Sequence, residues 1–384
     1  MNDEVLAKTI YLDYNGTTPV APEVLEAMLP YYQVHFGNPS SDHVIGRRAR
    51  LAVEESREQV ALLIGANADE IIFTSGGTES NNLAIVGQSV LAEPNRRRII
   101  TSQVEHPATR APCALLEQKG WLITRTPVEN TGKLDLDAFY GALTSDVALV
   151  TLLLAQNETG ALMPVSLIAE ATQAIGAKLH TDAAQAVGKI PVSVEDLGVH
   201  LLSIAGHKLY GPKGVGALYV RRGSSLGPVL VGADQERGYR PGTENVPGIV
   251  GLGEACRLAK SRLAMDGERI SALRNQLWLL LSHAVEDLVR FTPRDSSLPN
   301  TLYVSFPHVN GIDLLSETPD VAASTGSACH AGVHAPSETL LAMNVSPEAA
   351  LGAVRFSLGR DTSANDIAIA AASIISTYHR LLAR

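Results

Sequence analysis

Apolar residues recur with two different periods along the first two thirds of the chain. Over residues 46–64 they fall on one face of a helix, and Gly65 follows as the residue type that most often ends one. Amphipathic stretches with the same helical period come again at 79–92, 106–119, 135–143 and 165–176. Short apolar runs, most of them separated by these helices, predict buried strands at 71–74, 98–101, 121–124, 147–154, 178–181, 201–205 and 215–220.

This alternation of helices and strands predicts an α/β fold with a mostly parallel, seven-stranded sheet that is covered by helices on both faces. From 247 to 286 the pattern is that of long helices, and the elements after it come in a different order. We therefore expect a large domain of residues 16–255 and a smaller α+β domain of residues 1–15 and 256–384. No linker rich in Pro, Gly and Ser separates the two domains, which predicts that they pack tightly.

Composition narrows the class of protein. A chain of 384 residues with 45% hydrophobic residues can bury a large core. Its net charge of -9 is spread without a basic tract, which argues against a nucleic-acid or anionic-membrane partner. The N-terminus lacks a basic stretch followed by an apolar core, and the longest apolar runs are too short to span a membrane. We therefore expect a soluble, cytoplasmic enzyme.

The chain has three cysteines, Cys113, Cys256 and Cys329, which are too few and too dispersed for a disulfide framework or a CxxC metal site. His330 and His334 stand close to Cys329, but this spacing alone does not predict a metal. Cys113 and Cys256 fall inside apolar helical patterns and are interpreted as structural. Cys329 lies among small and polar residues, which favours an exposed thiol.

In an open parallel sheet the ligand site gathers at the carboxyl ends of the strands, so the residues after each predicted strand are informative about function. After 71–74 the segment 75–79 (SGGTE) opens a helix with a glycine turn, whose free N–H groups suit a phosphate. Taken alone, such a turn is more often a plain connection. His106 follows 98–101, where a lone histidine is more often structural than catalytic. The segment 156–160 (QNETG) follows 147–154.

Two charged residues at successive strand ends give a sharper signal. Asp182 follows 178–181, and a buried carboxylate is costly unless it meets a cation such as a protonated pyridine nitrogen. Capping of the next segment is the alternative role for Asp182. Lys208 follows 201–205 in a glycine-flanked turn, where a desolvated amine is a useful nucleophile and a solvated loop lysine is the alternative. Together the five strand ends predict an enzyme site for pyridoxal phosphate (PLP).

Between Tyr11 and Arg360 the chain contains the segments SGGTESNN, VEHPA, QNETG, HTDAAQ, GHKLYGPKGVGALYVRR, RPGTEN and STGSACH. Together they resemble the signature segments of the cysteine desulfurase (NifS-like) and selenocysteine lyase family. The resemblance implies the architecture of fold-type I PLP-dependent transferases. It also implies a homodimer whose active sites lie at the subunit interface.

The resemblance implies a role for each matching residue at the cofactor ring. Lys208 resembles the lysine that carries PLP, and Asp182 resembles the partner of the pyridine nitrogen. His106 resembles the imidazole that stacks on the ring and carries protons during catalysis. Gln185 resembles the residue that reaches the phenolic oxygen of the cofactor.

The remaining matches concern the phosphate, the substrate and the reactive thiol. Phosphate contacts are implied for Gly77, Thr78, His207 and, from the other subunit, Thr243. Contacts with the substrate carboxylate are implied for Asn157 and Arg355. Cys329 resembles the catalytic cysteine that receives the sulfur.

The implied reaction is that of a cysteine desulfurase, which converts L-cysteine to L-alanine and transfers the sulfur to Cys329 as a persulfide. The sulfur then passes to an acceptor protein such as an iron-sulfur scaffold or a thiolation enzyme. Two departures from the common desulfurase pattern favour a selenocysteine lyase instead. Such an enzyme releases selenium and L-alanine from L-selenocysteine. Ala205 stands where many desulfurases have a serine or threonine on the phosphate, and His330 follows Cys329 directly. The segment 231–234 (VGAD) also departs from the desulfurase pattern, since it replaces a glycine-rich triplet.

A third hypothesis comes from another class of protein. The chain would then be an inactive scaffold that keeps the fold for contacts with sulfur-carrier or iron-sulfur assembly partners. Every expected catalytic position carries the residue type that the chemistry needs, which argues against this hypothesis.

Overall fold

The computed structural model describes residues 9–326 and 335–384. Its strands, numbered along the chain, are β1 (Ile10–Tyr11), β2 (Ile71–Thr74), β3 (Arg98–Ser102), β4 (Leu122–Thr126), β5 (Val147–Leu153), β6 (Lys178–Asp182), β7 (Leu201–Ala205), β8 (Gly216–Val220), β9 (Val289–Arg290), β10 (Thr301–Ser305), β11 (Val321–Ala322) and β12 (Ala353–Ser357). Its α-helices are α1 (Pro22–Met28), α2 (Pro30–Gln33), α3 (Val44–Ile64), α4 (Gly77–Leu91), α5 (Pro107–Gln118), α6 (Leu136–Ala142), α7 (Val165–Ala174), α8 (Val194–Leu197), α9 (Val246–Ala284), α10 (Gly311–Ser316), α11 (Glu338–Ala342), α12 (Pro347–Leu351) and α13 (Ala364–Leu382). None of these helices of the described ranges is long and apolar enough to cross a membrane.

The central sheet has seven strands in the order β2-β8-β7-β6-β5-β3-β4. β8 pairs antiparallel with β2 and β7, and the other neighbours pair in parallel. All strands of this sheet except β8 therefore end at the same edge. The predicted α/β fold with a mostly parallel, seven-stranded sheet is confirmed, and each predicted strand is present within about two residues of its expected bounds.

Burial explains why the short apolar runs form strands. Every residue of β2, β7 and β8 is buried, because helices cover both faces of the sheet.

The first predicted helix, α3, begins two residues earlier than expected, where the His43 side chain accepts a hydrogen bond from the Gly46 N–H. It ends before Gly65, whose φ of 68° lies in the left-handed region that glycine adopts without strain.

A second apolar core lies between the C-terminal half of α9 and the small antiparallel sheet β12-β10-β9. Leu273, Leu277 and Leu281 of α9 pack in this core with Leu12, which follows β1. β1 pairs in parallel with β11, so the N-terminal segment joins the C-terminal part of the chain. α9 is one continuous helix of 39 residues that passes through the expected domain boundary between residues 255 and 256. The expected domain bounds stay a prediction.

The second core offers a test of packing on a single helix. Leu277 is fully buried, whereas Leu279 on the same helix is 52% exposed. We expect Leu277→Ala to lower the free energy of unfolding by roughly 3 kcal/mol, because it removes buried methyl groups and leaves a cavity. Leu279→Ala should change it by less than about 0.5 kcal/mol. The midpoints of urea unfolding measure both, and equal shifts for the two variants would contradict the packing described here.

Candidate active site

A cavity of about 210 Å³ lies at the edge of the sheet where the parallel strands end. Segments that follow β2, β3, β5, β6 and β7 all contribute to it. The predicted site residues that line it are Gly77, Thr78, His106, Asn157, Asp182, Gln185, His207 and Lys208. Arg355 and Thr243, which the structure also describes, lie outside this lining. Cys329 lies outside the described residues.

Lys208 reaches the cavity from the turn that follows β7. Its Nζ donates to the main-chain oxygens of Asn15 and Gly16, each over 2.7 Å. Burial, together with the positive charge of Arg355, lowers the pKa of Lys208 to about 8, although nearby carboxylates oppose this shift. The uncharged amine, which is the form that acts as a nucleophile or base, is therefore far more populated near neutral pH than in an ordinary lysine.

Asp182, the last residue of β6, places a buried carboxylate on the cavity wall. Its Oδ2 accepts a hydrogen bond from Asn81 Nδ2 over 2.7 Å, and its Oδ1 accepts from the Ala184 N–H over 3.0 Å. The Oδ1 of Asn81 is buried without a hydrogen-bond partner in the described part of the chain. A carboxylate and an unused amide oxygen on one wall fit a ligand that brings a cationic N–H, such as a protonated pyridine nitrogen.

Sequence reasoning missed Asn81 as a site residue. It lies four residues after Gly77 on α4, and this spacing places both residues on the same face of the helix. The signal was therefore present in SGGTESNN, but it becomes specific only once α4 packs beside β6. The contact between Asn81 and Asp182 also shows that capping of the next segment is only part of what the carboxylate does.

The N-terminus of α4 forms the opposite end of the cavity. No side chain in the described ranges caps this helix at Gly76, so its first N–H groups are available to an anion. A Cβ on Gly77 would lie 3.3 Å from the Cβ of Ala205, so the backbone there is closely packed. His207 Nδ1 lies 3.1 Å from Thr17 Oγ1, and burial lowers the pKa of His207 to about 4. A neutral imidazole and free backbone donors suit a phosphate at this end.

His106 stands at the exposed mouth of the cavity, at the start of α5. Its Nδ1 accepts a hydrogen bond from the Ala108 N–H over 3.1 Å, which assigns the ring proton to Nε2. Desolvation lowers the pKa of His106, although the charge of Asp182 opposes this shift. The ring can therefore donate from Nε2 while its orientation is fixed by the helix.

Arg355 on β12 is not part of the cavity lining, but its charge acts on Lys208 and its side chain contacts Asn157. Its Nη1 donates to the Asn157 carbonyl oxygen over 2.9 Å, and its Nη2 donates to Asp13 Oδ1 over 2.6 Å. Its Nε is buried and has no partner among the residues that the structure describes. The Nε–H of Arg355 is therefore available to a ligand, whereas Nη1 and Nη2 are already hydrogen-bonded.

Asn15 in the N-terminal segment joins both cores at the site, and sequence reasoning did not single it out. Its main-chain oxygen accepts hydrogen bonds from Lys208 Nζ and from Gln185 Nε2, over 2.7 and 3.0 Å. Its side chain bonds to Lys189, Asn300 and Thr301. The sequence around Asn15 gives little indication of this role, because only the tertiary fold brings residue 15 to the end of β7.

Glu158 contacts the described residues after Cys329 directly and those before it through Tyr303, whose hydroxyl lies 3.4 Å from Glu158 Oε2. The Tyr303 hydroxyl donates to the Thr325 carbonyl oxygen over 2.9 Å, and Ser337 Oγ donates to Glu158 Oε2 over 2.5 Å. Thr339 Oγ1 donates to the other carboxylate oxygen of Glu158 over 2.6 Å. Burial raises the pKa of Glu158, although these hydroxyl donors oppose the shift. This buried carboxylate in QNETG therefore organises both flanks of the cysteine segment.

Other cysteine and metal chemistry is limited in the described part of the chain. Cys113 and Cys256 are free, buried thiols, as expected from their apolar helical patterns. Burial raises the pKa of both, that of Cys113 to about 12. No group of three His, Cys, Asp or Glu side chains within 9–326 and 335–384 is placed to hold a metal ion. The cavity chemistry thus rests on an amine, a carboxylate and imidazoles.

The comparison with known proteins points to one family. The family model for aminotransferase class-V matches residues 10–369. A cysteine desulfurase IscS from Dictyoglomus turgidum is 45% identical over 364 residues, which cover 94% of this chain and 92% of that protein. A cysteine desulfurase NifS from Azotobacter vinelandii is 43% identical over 361 residues, with 93% and 90% covered. A solved structure of a NifS-like protein has a TM-score of 0.91 at 35% identity, and covers 97% of this chain and 100% of that one.

Proposed function

The chain belongs to the aminotransferase class-V family and, within it, to the cysteine desulfurases, and on this premise we propose that it converts L-cysteine to L-alanine with PLP as its cofactor. The sulfur passes to Cys329 as a persulfide and then to an acceptor protein. One observation carries the proposal: a lysine with a lowered pKa and a buried carboxylate face one cavity from the ends of neighbouring strands, β7 and β6.

The cavity residues divide between the two ends of the cofactor. Lys208 would carry PLP, with Asp182 at the pyridine nitrogen, His106 beside the ring and Gln185 at the phenolic oxygen. Gly77, Thr78 and His207, at the free N-terminus of α4, would hold the phosphate. When bound, PLP supplies an electron sink that stabilises negative charge at the substrate Cα.

The protein's own groups move the protons and hold the substrate. Lys208 takes the proton from the substrate Cα, and its lowered pKa leaves the amine able to do so near neutral pH. His106 carries a second proton through Nε2. Asn157 and Arg355 hold the substrate carboxylate. Arg355 can donate to it from Nε, which has no partner in the described residues, while Nη2 stays bonded to Asp13.

The sulfur step requires the thiolate of Cys329. Attack of this thiolate on the substrate sulfur forms an S–S bond and breaks the C–S bond. The electron pair of the C–S bond stays with the carbon fragment, which takes up protons and leaves as alanine. A dithiol reductant or an acceptor thiol then removes the outer sulfur and regenerates Cys329.

We further propose a cytoplasmic homodimer that delivers sulfur to an iron-sulfur scaffold or a thiolation enzyme. Thr243 is exposed and does not border its own chain's cavity, which suits a residue that contacts the phosphate in the partner's site. Leu25 on α1, Leu29 between α1 and α2, and Tyr32 on α2 are exposed apolar side chains, as a subunit interface would require. The free thiols of Cys113 and Cys256 suit a reducing compartment.

A selenocysteine lyase is the second candidate, and Ala205 is the observation that favours it. Its methyl group lies against Gly77 at the phosphate end of the cavity, so position 205 offers no hydroxyl to the phosphate. Turnover of L-cysteine and L-selenocysteine by the same PLP-loaded protein separates the two, with alanine quantified in each case. Equal or faster turnover of cysteine supports the desulfurase, and a preference for selenocysteine by orders of magnitude would overturn it in favour of the lyase.

Asp182→Asn tests the carboxylate at the pyridine nitrogen. We expect turnover of L-cysteine to fall on the order of 100-fold or more, because an amide does not stabilise a positive charge on that nitrogen as a carboxylate does. Alanine release at saturating cysteine measures the loss, and the absorbance of bound PLP shows whether the cofactor is retained. Asp196→Asn, at an exposed position on α8, is the matched control and should keep wild-type turnover.

A further inference from the structure

A second lysine, Lys189, lies beside the site and has no role in the proposed reaction. It follows β6 in the same loop as Gln185, four residues further along. Its Nζ donates to Gln185 Oε1 over 2.6 Å and to Asn15 Oδ1 over 2.8 Å. Both acceptors are neutral amide oxygens, and they belong to Gln185, which lines the cavity with Lys208, and to Asn15, whose main-chain oxygen accepts from Lys208.

This contact and the Asn15 carbonyl oxygen together fix which way the Gln185 amide points. The two ends of an amide are nearly equal in size, so packing alone selects its orientation poorly. The Lys189 amine offers N–H donors and therefore holds Oε1 toward itself. The Nε2 group of Gln185 is then the end that donates to the Asn15 carbonyl oxygen, over 3.0 Å, beside the cavity.

Lys189 and Lys208 also share Asn15. The side-chain oxygen of Asn15 accepts from Lys189, while its main-chain oxygen accepts from Lys208 over 2.7 Å. The same main-chain oxygen accepts from Gln185. Four residues therefore form one hydrogen-bonded network, and a change at Lys189 reaches the cofactor anchor through two routes, Gln185 and Asn15.

The lowered pKa of Lys189 is compatible with a role in positioning Gln185. Burial and the positive charges of Lys208 and Arg355 lower the pKa of Lys189 well below its usual value, and Asp13 opposes this shift. The groups that face Lys208 are Arg355, which lowers its pKa, and Asp13 and Asp182, which raise it. A neutral Lys189 still donates two hydrogen bonds without placing a second positive charge beside Lys208.

We propose that Lys189 is a positioning residue that holds the Gln185 amide with its N–H donor toward the cofactor. The inference rests on the proposed function, because it requires PLP on Lys208 and Gln185 at the phenolic oxygen. A hydrogen bond to that oxygen stabilises its negative charge and so lowers the pKa of the PLP–Lys208 chromophore. If Lys189 no longer fixes the amide, this stabilisation is lost for part of the time or altogether.

The test is an absorbance titration of the PLP-loaded full chain against pH, for wild type, Lys189→Met, Gln185→Leu and the double variant. Lys189→Met keeps the volume and removes the donor. We expect it to raise the apparent pKa of the chromophore by roughly one unit, the size of one hydrogen bond to a charged group. Gln185→Leu should give a similar shift, and the double variant should shift no further than Gln185→Leu alone.

Two controls separate this role from charge and from folding. If Lys189 acted only through its charge, its loss would add to the Gln185→Leu shift, and additivity would overturn the proposal. An unchanged titration midpoint with a lower melting temperature would also overturn it, because Lys189 would then be merely structural. Lys189→Gln keeps an N–H donor, so the apparent pKa of its chromophore should lie between those of wild type and Lys189→Met. This variant replaces Lys189→Met in the test if the Met variant does not fold. A wild-type chain without PLP absorbance would overturn the proposed function, and this inference with it.

Discussion

Lys208→Ala is expected to reduce alanine formation from L-cysteine by roughly three orders of magnitude or more, even with PLP in excess. The amine of Lys208 is proposed both to anchor the cofactor and to take the proton from the substrate Cα, so its loss removes two functions at once. Lys208 lines the cavity, so a lysine on the outer surface cannot take its place. Alanine quantified under single-turnover conditions measures the loss.

The control for Lys208→Ala is Lys260→Ala. Lys260 bonds to the Leu62 carbonyl oxygen at an exposed position on α9, away from the cavity, so its removal should leave turnover unchanged. A small primary amine added to the Lys208→Ala protein should restore part of the activity, because it supplies a base without the anchor. Retention of more than a tenth of wild-type turnover, without any added amine, would contradict the role given to Lys208.

Cys329→Ala is expected to abolish sulfide release from L-cysteine under reductant, with a loss of roughly 100-fold or more. The other two thiols cannot substitute, because burial raises the pKa of Cys113 and of Cys256 and leaves almost no thiolate at neutral pH. Cys113→Ala is therefore the matched control and should keep its activity. Sulfide and alanine measured together report the outcome.

The same variant separates the two leading functions. In a desulfurase, Cys329 stores the sulfur, so its loss stops turnover of cysteine. In a selenocysteine lyase, selenium leaves with less help, so Cys329→Ala would retain a larger share of its turnover with selenocysteine. Full activity of Cys329→Ala with L-cysteine would rule out a persulfide on this residue as part of the reaction.

The sequence predicted the central sheet well because most of its strands are short, apolar and buried, although the edge strand β4 is partly exposed. An apolar run such as Ile71–Thr74 leaves few alternatives once helical periods surround it. The pattern did not reveal that β8 runs antiparallel between β2 and β7, because strand order depends on tertiary pairing. The direction of β2 matters for the site, since it brings the start of α4 to the same edge as the end of β7.

The site was predictable where one segment carries its own chemistry. Lys208 and Asp182 follow buried strands, and the structure places both on the cavity, as expected. Asn15 and Lys189 were missed, because their roles come from contacts between segments about 170 residues apart in the chain. Arg355 illustrates the same limit, since its pairing with Asp13 joins β12 to the segment after β1 and could not be inferred from VRFSLGR.

Borohydride reduction of the PLP-loaded protein, followed by proteolysis and mass spectrometry, tests the central claim most directly. Reduction makes the bond between PLP and its lysine permanent, so the modified peptide identifies the anchor. We expect one modified site, Lys208, and loss of the modification in Lys208→Ala. A modification on Lys189 or another lysine, or none at all in a folded protein that has been supplied with PLP, would contradict it.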